Sequence, residues 1–410
     1  MTQLSRRGMV SVFLAFALAY FLSALLRTIT ATLAPVLTAE FTLQARDLGL
    51  LGGGFFLGFA LTQLPLGHWL DRHGPKRVIL CFLSVAVVGC VAFALAGSFW
   101  ELLSARILCG VGVSACLMAP LTGYRRWFSP AAQLRANSWM LMTGSLGMIG
   151  ATLPVQWLLP GFGWRVLFLG LAALFLVALL LAAWQVPGWR GEQAEPVASV
   201  LPAGYGEVWR NPYFRMMAPV GFFCYGGLLA VQTLWALPWV VTMGGFSNLQ
   251  AATALFWINV SMLCTFWSWG MASQWLARSR HDAQWLITWC LPVSFVLLAC
   301  VILTPGLWPQ ASGVLLAMYC VACTVVTPSQ PAVAMAFSAN LAGRALSAYN
   351  LIVFSGVFVI QWGIGLAIDA LMLLGMPRTA AYQWAFSIYL AGAIGSYLYF
   401  LRASRHNRTG

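Results

Sequence analysis

The sequence predicts an all-α integral membrane protein in which twelve transmembrane helices form two six-helix bundles. Of its 410 residues, 61% are hydrophobic and only 8% are charged, and the mean hydropathy is +0.84. Soluble domains carry roughly 25% charged residues, and a helix needs roughly 20 apolar residues to cross a bilayer. Twelve such spans leave no room within these residues for a soluble catalytic or nucleic-acid-binding domain.

Twelve apolar runs, each bounded by charged residues, glycine or proline, are predicted as spans 1 to 12. They cover residues 9–38, 48–70, 77–97, 101–124, 136–158, 165–187, 215–243, 249–276, 284–304, 310–337, 345–373 and 380–401. The first run follows a short basic start and has no small-residue cleavage site, so we expect a span and not a signal peptide. The long polar interval 190–214 is predicted to be a cytoplasmic linker between an N-terminal bundle, 1–189, and a C-terminal bundle, 215–410.

The positive charges predict the orientation of the spans. With the start of span 1 inside, only Arg46, Arg165 and Arg378 of the 22 Lys and Arg fall outside, and Arg27 and Arg106 fall within spans. Cytoplasmic loops of membrane proteins carry an excess of Lys and Arg. We therefore expect both termini in the cytoplasm of a bacterial-type inner membrane, and the net charge of +13 indicates topology, not a nucleic-acid partner.

Span 1 carries the most informative charge, Arg27, close to the predicted bilayer midplane. A charged side chain there costs at least roughly 2.5 kcal/mol, and none of the nine acidic residues falls at mid-depth in any span. Arg27 belongs to a stripe of residues at helical spacing, which we expect to line the path between the two bundles: Tyr20, Ser23, Arg27, Thr30 and Ala34. An unpaired guanidinium in a water-filled cavity is a fork-shaped site for a carboxylate or phosphate. The hypothesis is that the substrate is an organic anion and Arg27 is its charge partner.

A second interpretation of Arg27 stays open at this point. Backbone carbonyls could hold the guanidinium while the side chain snorkels toward an acid at the outer ends of the spans, Glu40 or Asp47. Arg27 would then have a purely structural role.

The loop between spans 2 and 3 carries a recognisable pattern, Gly67-His-Trp-Leu-Asp71-Arg72-His-Gly74-Pro-Lys76-Arg77. Gly67 permits close helix approach and Gly74 a tight turn, whereas Asp71 can cap the following helix and attract a basic partner. The loop resembles the signature G-x-x-x-D-R-x-G-R-R/K of the major facilitator superfamily. The resemblance implies that fold and a gate latch whose Asp71 and Arg72 control state switching without contacting substrate. The gating set that it implies is Gly67, Asp71, Arg72, Gly74, Lys76, Arg77 and, from span 4, Arg106.

Two further comparisons with the superfamily bear on the activity. Arg106, Gly110 and Gly112 match its fourth-span pattern R-x-x-x-G-x-G, and for Arg106 a structural or proton-path role and a ligand contact both remain open. The G-P-x-x-G-G element of drug:proton antiporters is absent from span 5, which disfavours drug export. Span 1 is similar to that of organic-anion and organophosphate members, but their seventh-span arginine has no counterpart, so a monoanion is favoured over a phosphate ester.

Polar side chains deep in the spans complete the predicted substrate-binding set. It consists of Arg27, Tyr20, Gln63, Tyr124, Gln232, Asn259, Asn350 and Gln361. Amides bind hydroxyls or carboxylates and are less costly to bury than charges, although each could equally form an interhelical hydrogen bond. Pro328 and Pro331 predict a broken helix in span 10, as often flanks a transport site or hinge.

The predicted function is secondary active transport of a small organic anion, a carboxylate, by rocking of the two bundles. The alternative is efflux of drugs or amphipathic metabolites by proton antiport. No HExxH or GxSxG motif indicates an enzyme, and we expect no cofactor and no metal. The expected partners are an anionic small molecule, membrane lipid and, if transport is coupled, a proton, with the chain monomeric. Uniport and anion exchange stay open.

Overall fold

The computed structural model describes residues 4–188, 205–278, 282–304 and 308–409, and every regular element in these ranges is helical. The α-helices are α1 (Arg6–Phe41), α2 (Ala45–Leu61), α3 (Gln63–Leu95), α4 (Phe99–Val113), α5 (Ala115–Trp127), α6 (Pro130–Gly150), α7 (Leu153–Gln185), α8 (Tyr205–Arg210), α9 (Pro212–Val220), α10 (Gly226–Ala230), α11 (Ala236–Gly244), α12 (Asn248–Arg278), α13 (Ala283–Trp289), α14 (Leu291–Leu303), α15 (Ser312–Cys323), α16 (Ser329–Met335), α17 (Ala339–Leu373) and α18 (Arg378–Thr409). Two π-helical segments, Gly221–Tyr225 and Val231–Trp235, join α9, α10 and α11 into one rod.

Ten helical stretches of the described chain are long and apolar enough to cross a membrane. Neither α2 nor α6 is among them: α2 has only 17 residues, and α6, with 21 residues, is not apolar enough. The chain then turns back inside α3 at Gly74 (φ 74°) and inside α7 at Gly163 (φ 70°). Positive φ favours glycine, which has no Cβ, so Gly74 makes the tight turn that the loop pattern predicts. Twelve spans fit this path, and their number stays a prediction.

The two faces of the helix bundle are named here by the direction of the chain. The termini side is the face where α1 begins and α18 ends, and the far side is the face where α1 ends and α2 begins. Arg46, Arg165 and Arg378 lie at the far side, at the start of α2, just after the Gly163 turn and at the start of α18. The structure therefore puts these three basic residues on one face, as the charge count predicts.

Glycines allow α2 and α17 to pack backbone against backbone near the far side. A Cβ on Gly49 would overlap the carbonyl oxygen of Gln361, and a Cβ on Gly365 would overlap that of Ala45. A Cβ on Gly53 would lie 2.9 Å from the ring of Phe358. Because α2 and α17 belong to different halves of the chain, this contact closes the two halves on each other at the far side.

Asp369 of α17 adds a polar contact to the same closure. Its Oδ1 accepts a hydrogen bond from the N–H of Ala45 (3.2 Å), and its Oδ2 accepts one from the N–H of Arg46 (2.9 Å). A carboxylate at a helix N-terminus neutralises unpaired N–H groups and the positive end of the helix dipole. Asp369 thus caps α2 from the opposite half, and its side chain is only 13% exposed.

The break predicted in span 10 and the predicted linker 190–214 compare differently with the structure. The break expected from Pro328 and Pro331 is present, because α15 ends at Cys323 and α16 begins at Ser329 after a 3-10 turn. Most of the predicted linker 190–214 lies outside the described residues. Its last part is not an extended loop: 205–210 forms α8, and α9 begins at Pro212, where Asn211 caps it by accepting two backbone hydrogen bonds.

Asp369→Asn is expected to loosen the far-side closure, because a neutral amide leaves one α2 N–H without its acceptor and removes the charge that favours the helix N-terminus. The effect of a charge at this position is up to about 2 kcal/mol. The measurement is the alkylation rate, from the far side, of a cysteine introduced at the buried Thr30 by a membrane-impermeant maleimide. The Asp369→Asn rate should rise several-fold over that of the Thr30→Cys parent.

Glu101→Gln is the matched control for Asp369→Asn. Glu101 caps α4 on the same face, but its partners Gly97 and Ser98 belong to its own half. The control should leave the alkylation rate unchanged. Equal rates in both variants would show that the cap between the halves does not close the far side.

Candidate functional site

A cavity of about 140 Å³ lies between the two halves of the chain, with Arg27 in its wall. Its lining comes from both halves: Tyr20, Ser23, Arg27, Phe59, Gln63, Val113, Ser114, Leu117, Met118, Leu141, Tyr225, Leu229, Gln330, Asn350, Val353 and Phe354. Beyond Arg27, the next members of the span 1 stripe, Thr30 and Ala34, are buried. The polar face of α1 therefore lines the cavity up to Arg27 and becomes part of the far-side packing after it.

Arg27 has neither an ion pair nor a hydrogen bond among the described residues, and its buried Nε has no partner. Its guanidinium carbon lies 5.5 Å from the ring centre of Phe59 and 5.9 Å from that of Phe354. These distances are within the range of cation–π attraction. The two rings come from α2 and α17 and are 4.4 Å apart, so both halves support the charge without neutralising it.

The structure does not show the contacts that the snorkelling alternative for Arg27 requires. Glu40 accepts hydrogen bonds from Arg165 Nη1 (2.6 Å) and Trp164 Nε1 (2.7 Å). Asp47 accepts a hydrogen bond from the backbone N–H of Gln44 within the first turn of α2 (3.0 Å) and lies 3.7 Å from Arg46 Nε. Both outer acids are thus engaged at the far-side surface, and Arg27 remains an unpaired charge.

Three residues with hydroxyl groups line the same cavity near Arg27: Tyr20, Ser23 and Tyr225. Ser23 Oγ is buried next to the thiol of Cys116. The Tyr20 ring fits against Gly144 of α6, where a Cβ would lie 2.5 Å from Cε1 of the ring. Gly144 therefore sets the position of Tyr20 and, with it, the width of the cavity at Arg27.

A chain of hydrogen bonds forms another polar part of the wall and joins the two halves. Tyr225 Oη donates to Gln330 Oε1 (3.4 Å), and Gln330 Nε2 donates to Asn350 Oδ1 (2.6 Å). Asn350 Nδ2 then donates to Gln63 Oε1 (3.5 Å), and Gln63 Nε2 donates to the carbonyl of Phe59 (3.1 Å). Amides offer donors and acceptors together, so a neutral polar group of a ligand can exchange with these bonds.

The structure brings four of the eight predicted substrate-binding residues to this cavity: Tyr20, Arg27, Gln63 and Asn350. Three others lie nearer the far-side ends of their helices and bond to protein groups. Gln232 Nε2 donates to Asn259 Oδ1 (2.9 Å), and Gln361 Nε2 donates to Thr233 Oγ1 (3.0 Å). For these residues the structure favours the interhelical hydrogen bond over a place in the cavity wall.

Tyr124, the last of the eight, does not line the cavity. It is fully buried near the termini-side end of α5, where its ring stacks on Phe128 with centroids 4.5 Å apart. Phe13 and Phe16 of α1 pack against the same ring. Its hydroxyl is buried without a partner.

Arg106 is buried away from the cavity lining. Its Nη1 donates to the carbonyl of Leu26 (3.0 Å), next to Arg27 in the chain, and its guanidinium lies 4.8 Å from the Phe55 ring centre. Gly110 and Gly112 lie at close helix crossings, where a Cβ would overlap the backbone of Phe55 and Ala86. The geometry favours a structural role, in which Arg106 fixes α1 beside Arg27.

The predicted gate latch is not engaged in this structure. Asp71 is exposed, and within the described ranges it makes neither a hydrogen bond nor an ion pair, so the predicted helix cap is not formed. The charges that act on it from a distance include Arg125 of α5 and Arg344 of α17. A Cβ on Gly67 would lie 3.8 Å from Ser347 Oγ, an ordinary contact, so the close approach expected at Gly67 is also not made. Arg72 and Arg77 are exposed and Lys76 is half-buried.

Gln330 and Tyr225 line the cavity although the predicted substrate-binding set omits them. Gln330 has a signal in the sequence, because it lies between the two prolines that break span 10. Tyr225 is a polar side chain within the predicted span 7. Tyr225 lies in a π-helical segment, and π geometry changes which residues share a face of the rod. We find no pattern in the sequence that predicts these segments. The described part of the chain contains no cluster of three His, Cys, Asp or Glu that could hold a metal ion.

Comparison with known proteins places this chain in a family. The sequence profile of the Major Facilitator Superfamily matches residues 16–361, so the chain belongs to that superfamily. It is 28% identical over 259 residues to "Probable sulfoacetate transporter SauU" of Cupriavidus necator, covering 57% of this chain and 58% of that protein. It is 29% identical over 155 residues to the cis,cis-muconate transport protein of Acinetobacter baylyi, covering 36% and 37%. The chain thus spans about half the length of the curated relatives that it matches.

A solved structure matches the whole fold. It is a bacterial homologue of the human lysosomal transporter Spinster in an inward-facing, unoccupied conformation. The TM-score is 0.78 over 98% of both chains, at 19% sequence identity. The likeness shows a shared all-helical membrane fold. A protein of this family crosses the membrane several times.

Gly144→Ala is expected to destabilise the protein and to move Tyr20, because the added methyl group overlaps the Tyr20 ring. Overpacking of this kind costs typically 1–3 kcal/mol. The measurement is the melting temperature of the detergent-purified protein, which should fall by several degrees. Gly150→Ala in the same helix is the control, since its nearest atom, Phe21 Cζ, would lie 3.4 Å from the new Cβ. A smaller fall for Gly144→Ala than for Gly150→Ala would contradict the predicted overlap.

Proposed function

We propose that this major facilitator superfamily protein is a secondary transporter that moves a small organic anion, a carboxylate, across a bacterial inner membrane. The observation that carries the proposal is Arg27, a guanidinium without a counter-charge in the wall of a cavity between the two halves. Membership of a transporter superfamily supports transport rather than enzymatic catalysis. The names of the two curated relatives refer to sulfoacetate and muconate, which support an organic anion as substrate. Each of these compounds carries two acidic groups, so the choice of a monoanion rests on the cavity alone.

The electrostatics of the cavity favour one acidic group on the substrate. A buried charge is costly unless it is paired, and the guanidinium fork can donate two parallel hydrogen bonds to one carboxylate. Phe59 and Phe354 stabilise Arg27 through cation–π attraction, which is weaker than an ion pair. Binding of a monoanion would neutralise Arg27, whereas a second acidic group would find no further cation in the lining.

The rest of the substrate meets the amide chain formed by Gln63, Asn350 and Gln330. This part of the wall suits a hydroxyl or carbonyl group that exchanges hydrogen bonds with the amides. The cavity volume of about 140 Å³ limits the size of the substrate, because pockets for drug-sized ligands measure roughly 300–1,000 Å³. The volume and the unpaired cation both favour a small anion over the alternative, efflux of drugs or amphipathic metabolites.

The closed far side supports an alternating-access cycle. The glycine packing of α2 on α17 and the Asp369 cap close the far side, while Asp71 and Gly67 at the termini side are disengaged. The matching Spinster homologue is inward-facing, and the charge count places the termini in the cytoplasm. We infer an inward-facing state with twelve spans, and a second state in which the Asp71 latch forms and the far-side contacts separate.

If transport is coupled to protons, the group that carries the proton lies outside the cavity wall. The described lining contains neither a carboxylate nor a histidine. A coupled proton would therefore travel on the substrate's own carboxyl group or on a far-side acid such as Asp369, whose neutralisation weakens the cap on α2. Uniport and anion exchange need no such group.

Arg27→Gln is expected to abolish stabilisation by the substrate class, because glutamine cannot neutralise a buried carboxylate. The measurement is a thermal-shift screen of detergent-purified protein against carboxylates, sugar acids, phosphate esters and lipophilic cations. A ligand at 100 times its Kd stabilises the native state by about 2.7 kcal/mol, which raises the Tm of the parent protein. Hits are then tested for flux in proteoliposomes.

Arg402→Gln is the charge-matched control for Arg27→Gln, since Arg402 is exposed near the end of α18, far from the cavity. The control should keep the full anion response. An unchanged anion response in Arg27→Gln, or stabilisation by lipophilic cations alone, would overturn the proposal in favour of efflux.

Asn350→Ala is expected to reduce affinity for substrates that carry a hydroxyl or carbonyl group distal to the carboxylate. Removing Asn350 interrupts the amide chain and leaves Gln330 Nε2 without its acceptor, at about 1–2 kcal/mol for each lost bond, or roughly tenfold in Kd. The measurement compares the Kd of a hydroxylated acid with that of its unsubstituted analogue. Gln383→Ala is the control, because Gln383 makes an interhelical bond to Ile302 outside the cavity. Equal loss for both acids would contradict the recognition role of the amide chain.

A further inference from the structure

A second cavity, of about 390 Å³, lies at the termini-side ends of α1 and α6 and opens on the outer surface of the bundle. We call it the α1–α6 groove. Its lining consists of Arg6, Met9, Val10, Phe13, Leu14, Phe128, Ala132, Arg135, Ala136 and Trp139. It shares no lining residue with the central cavity. Whatever occupies the groove would therefore not compete directly for the Arg27 site.

Two helical stripes face each other across the α1–α6 groove. The α1 residues recur at spacings of three and four, Arg6, Met9, Val10, Phe13 and Leu14, and so do the α6 residues, Ala132, Arg135, Ala136 and Trp139. Residues at this spacing share one face of a helix. Val10, Leu14 and Trp139 are between 52% and 61% exposed, so this apolar surface is open to the membrane environment.

The two charged residues lie at the rim of the groove. Arg6 is the first residue of α1, and Arg135 lies in the second turn of α6, so both are at the membrane face, whereas Phe13, Leu14 and Trp139 lie deeper. Both arginines are exposed, and neither has an ion pair with a described carboxylate. The groove thus combines a cationic rim at headgroup level with an apolar floor below it.

The groove ends where α1 and α6 come together. Gly144 of α6 packs on Tyr20, and a Cβ on Gly147 would overlap the carbonyl oxygen of Phe21. The two helices therefore separate from this contact toward the termini side. The space between them is closed at the contact and open at the termini side. An elongated apolar chain fits such a space better than a compact solute does.

We propose that the α1–α6 groove binds an anionic phospholipid, with the phosphate between Arg6 and Arg135 and one acyl chain along Met9, Phe13 and Trp139. Basic pockets between transmembrane helices bind anionic headgroups, because the negative charge compensates the cations at the membrane surface. A zwitterionic lipid brings its own cation, so it compensates less of the positive charge of the two arginines than an anionic lipid does. The proposal does not depend on the proposed function.

The test is native mass spectrometry of the detergent-purified full chain, with phosphatidylglycerol and phosphatidylcholine of identical acyl chains added in parallel. Phosphatidylglycerol should remain bound at least tenfold more than phosphatidylcholine. Glycerol 3-phosphate and inorganic phosphate serve as probes for a free anion, and neither should reduce phosphatidylglycerol binding at millimolar concentration. Equal retention of the two lipids, or displacement by a free phosphate compound, would overturn the proposal.

Two variants divide the site into its charged and apolar parts. The double variant Arg6→Gln/Arg135→Gln should reduce phosphatidylglycerol retention to the phosphatidylcholine level, whereas Arg7→Gln/Arg402→Gln, with the same loss of charge outside the groove, should not. Ala132→Trp fills the groove while keeping both arginines and should also reduce retention at least tenfold. If the first double variant does not fold, phosphatidylglycerol retention by Ala132→Trp alone tests the site. Parent-like retention in Ala132→Trp, or equal loss in the two double variants, would refute the site.

Discussion

An unpaired guanidinium deep in an apolar bundle is the constraint on which the rest of this structure depends. Arg27 has no carbonyl or carboxylate partner among the described residues, and the cavity between the two halves gives it room for water or an anion. Phe59 and Phe354 face the charge from opposite halves, so the environment of Arg27 changes whenever the halves move. The buried residues that follow Arg27 on α1 separate the cavity from the far side.

The same two helices, α2 and α17, connect the binding cavity to the far-side closure. Toward the far side they meet through glycines and the Asp369 cap, and at the cavity they supply the two phenylalanines. The amide chain continues this pairing toward the termini side, where Gln63 meets Asn350. In the proposed cycle, a rocking motion that separates the glycine contact would therefore also rearrange the cavity wall.

The carboxylates at the far side all have partners other than Arg27. Glu40 fixes the far end of α1 to Arg165 and Trp164, Asp47 stays within α2, and Asp369 caps α2. Each outer acid satisfies backbone or side-chain groups at the far side. Arg106, the other arginine within a span, has a carbonyl partner and an aromatic ring, so it fixes the position of α1 without entering the cavity.

The sequence by itself determined the membrane class, the superfamily motif, the shared face of Arg46, Arg165 and Arg378, and the polar face of span 1 that carries Arg27, because hydropathy and charge are properties of single segments. It also indicated the break in span 10 and the turn at Gly74, which follow from proline and glycine geometry. Only the tertiary structure decided which polar residues share the cavity. Gln361 and Asn350 lie on one helix, yet one bonds within the far-side packing and the other faces the cavity. The difference depends on where other helices cross α17 and on the π segments of the α9–α11 rod, and no local pattern encodes a crossing point.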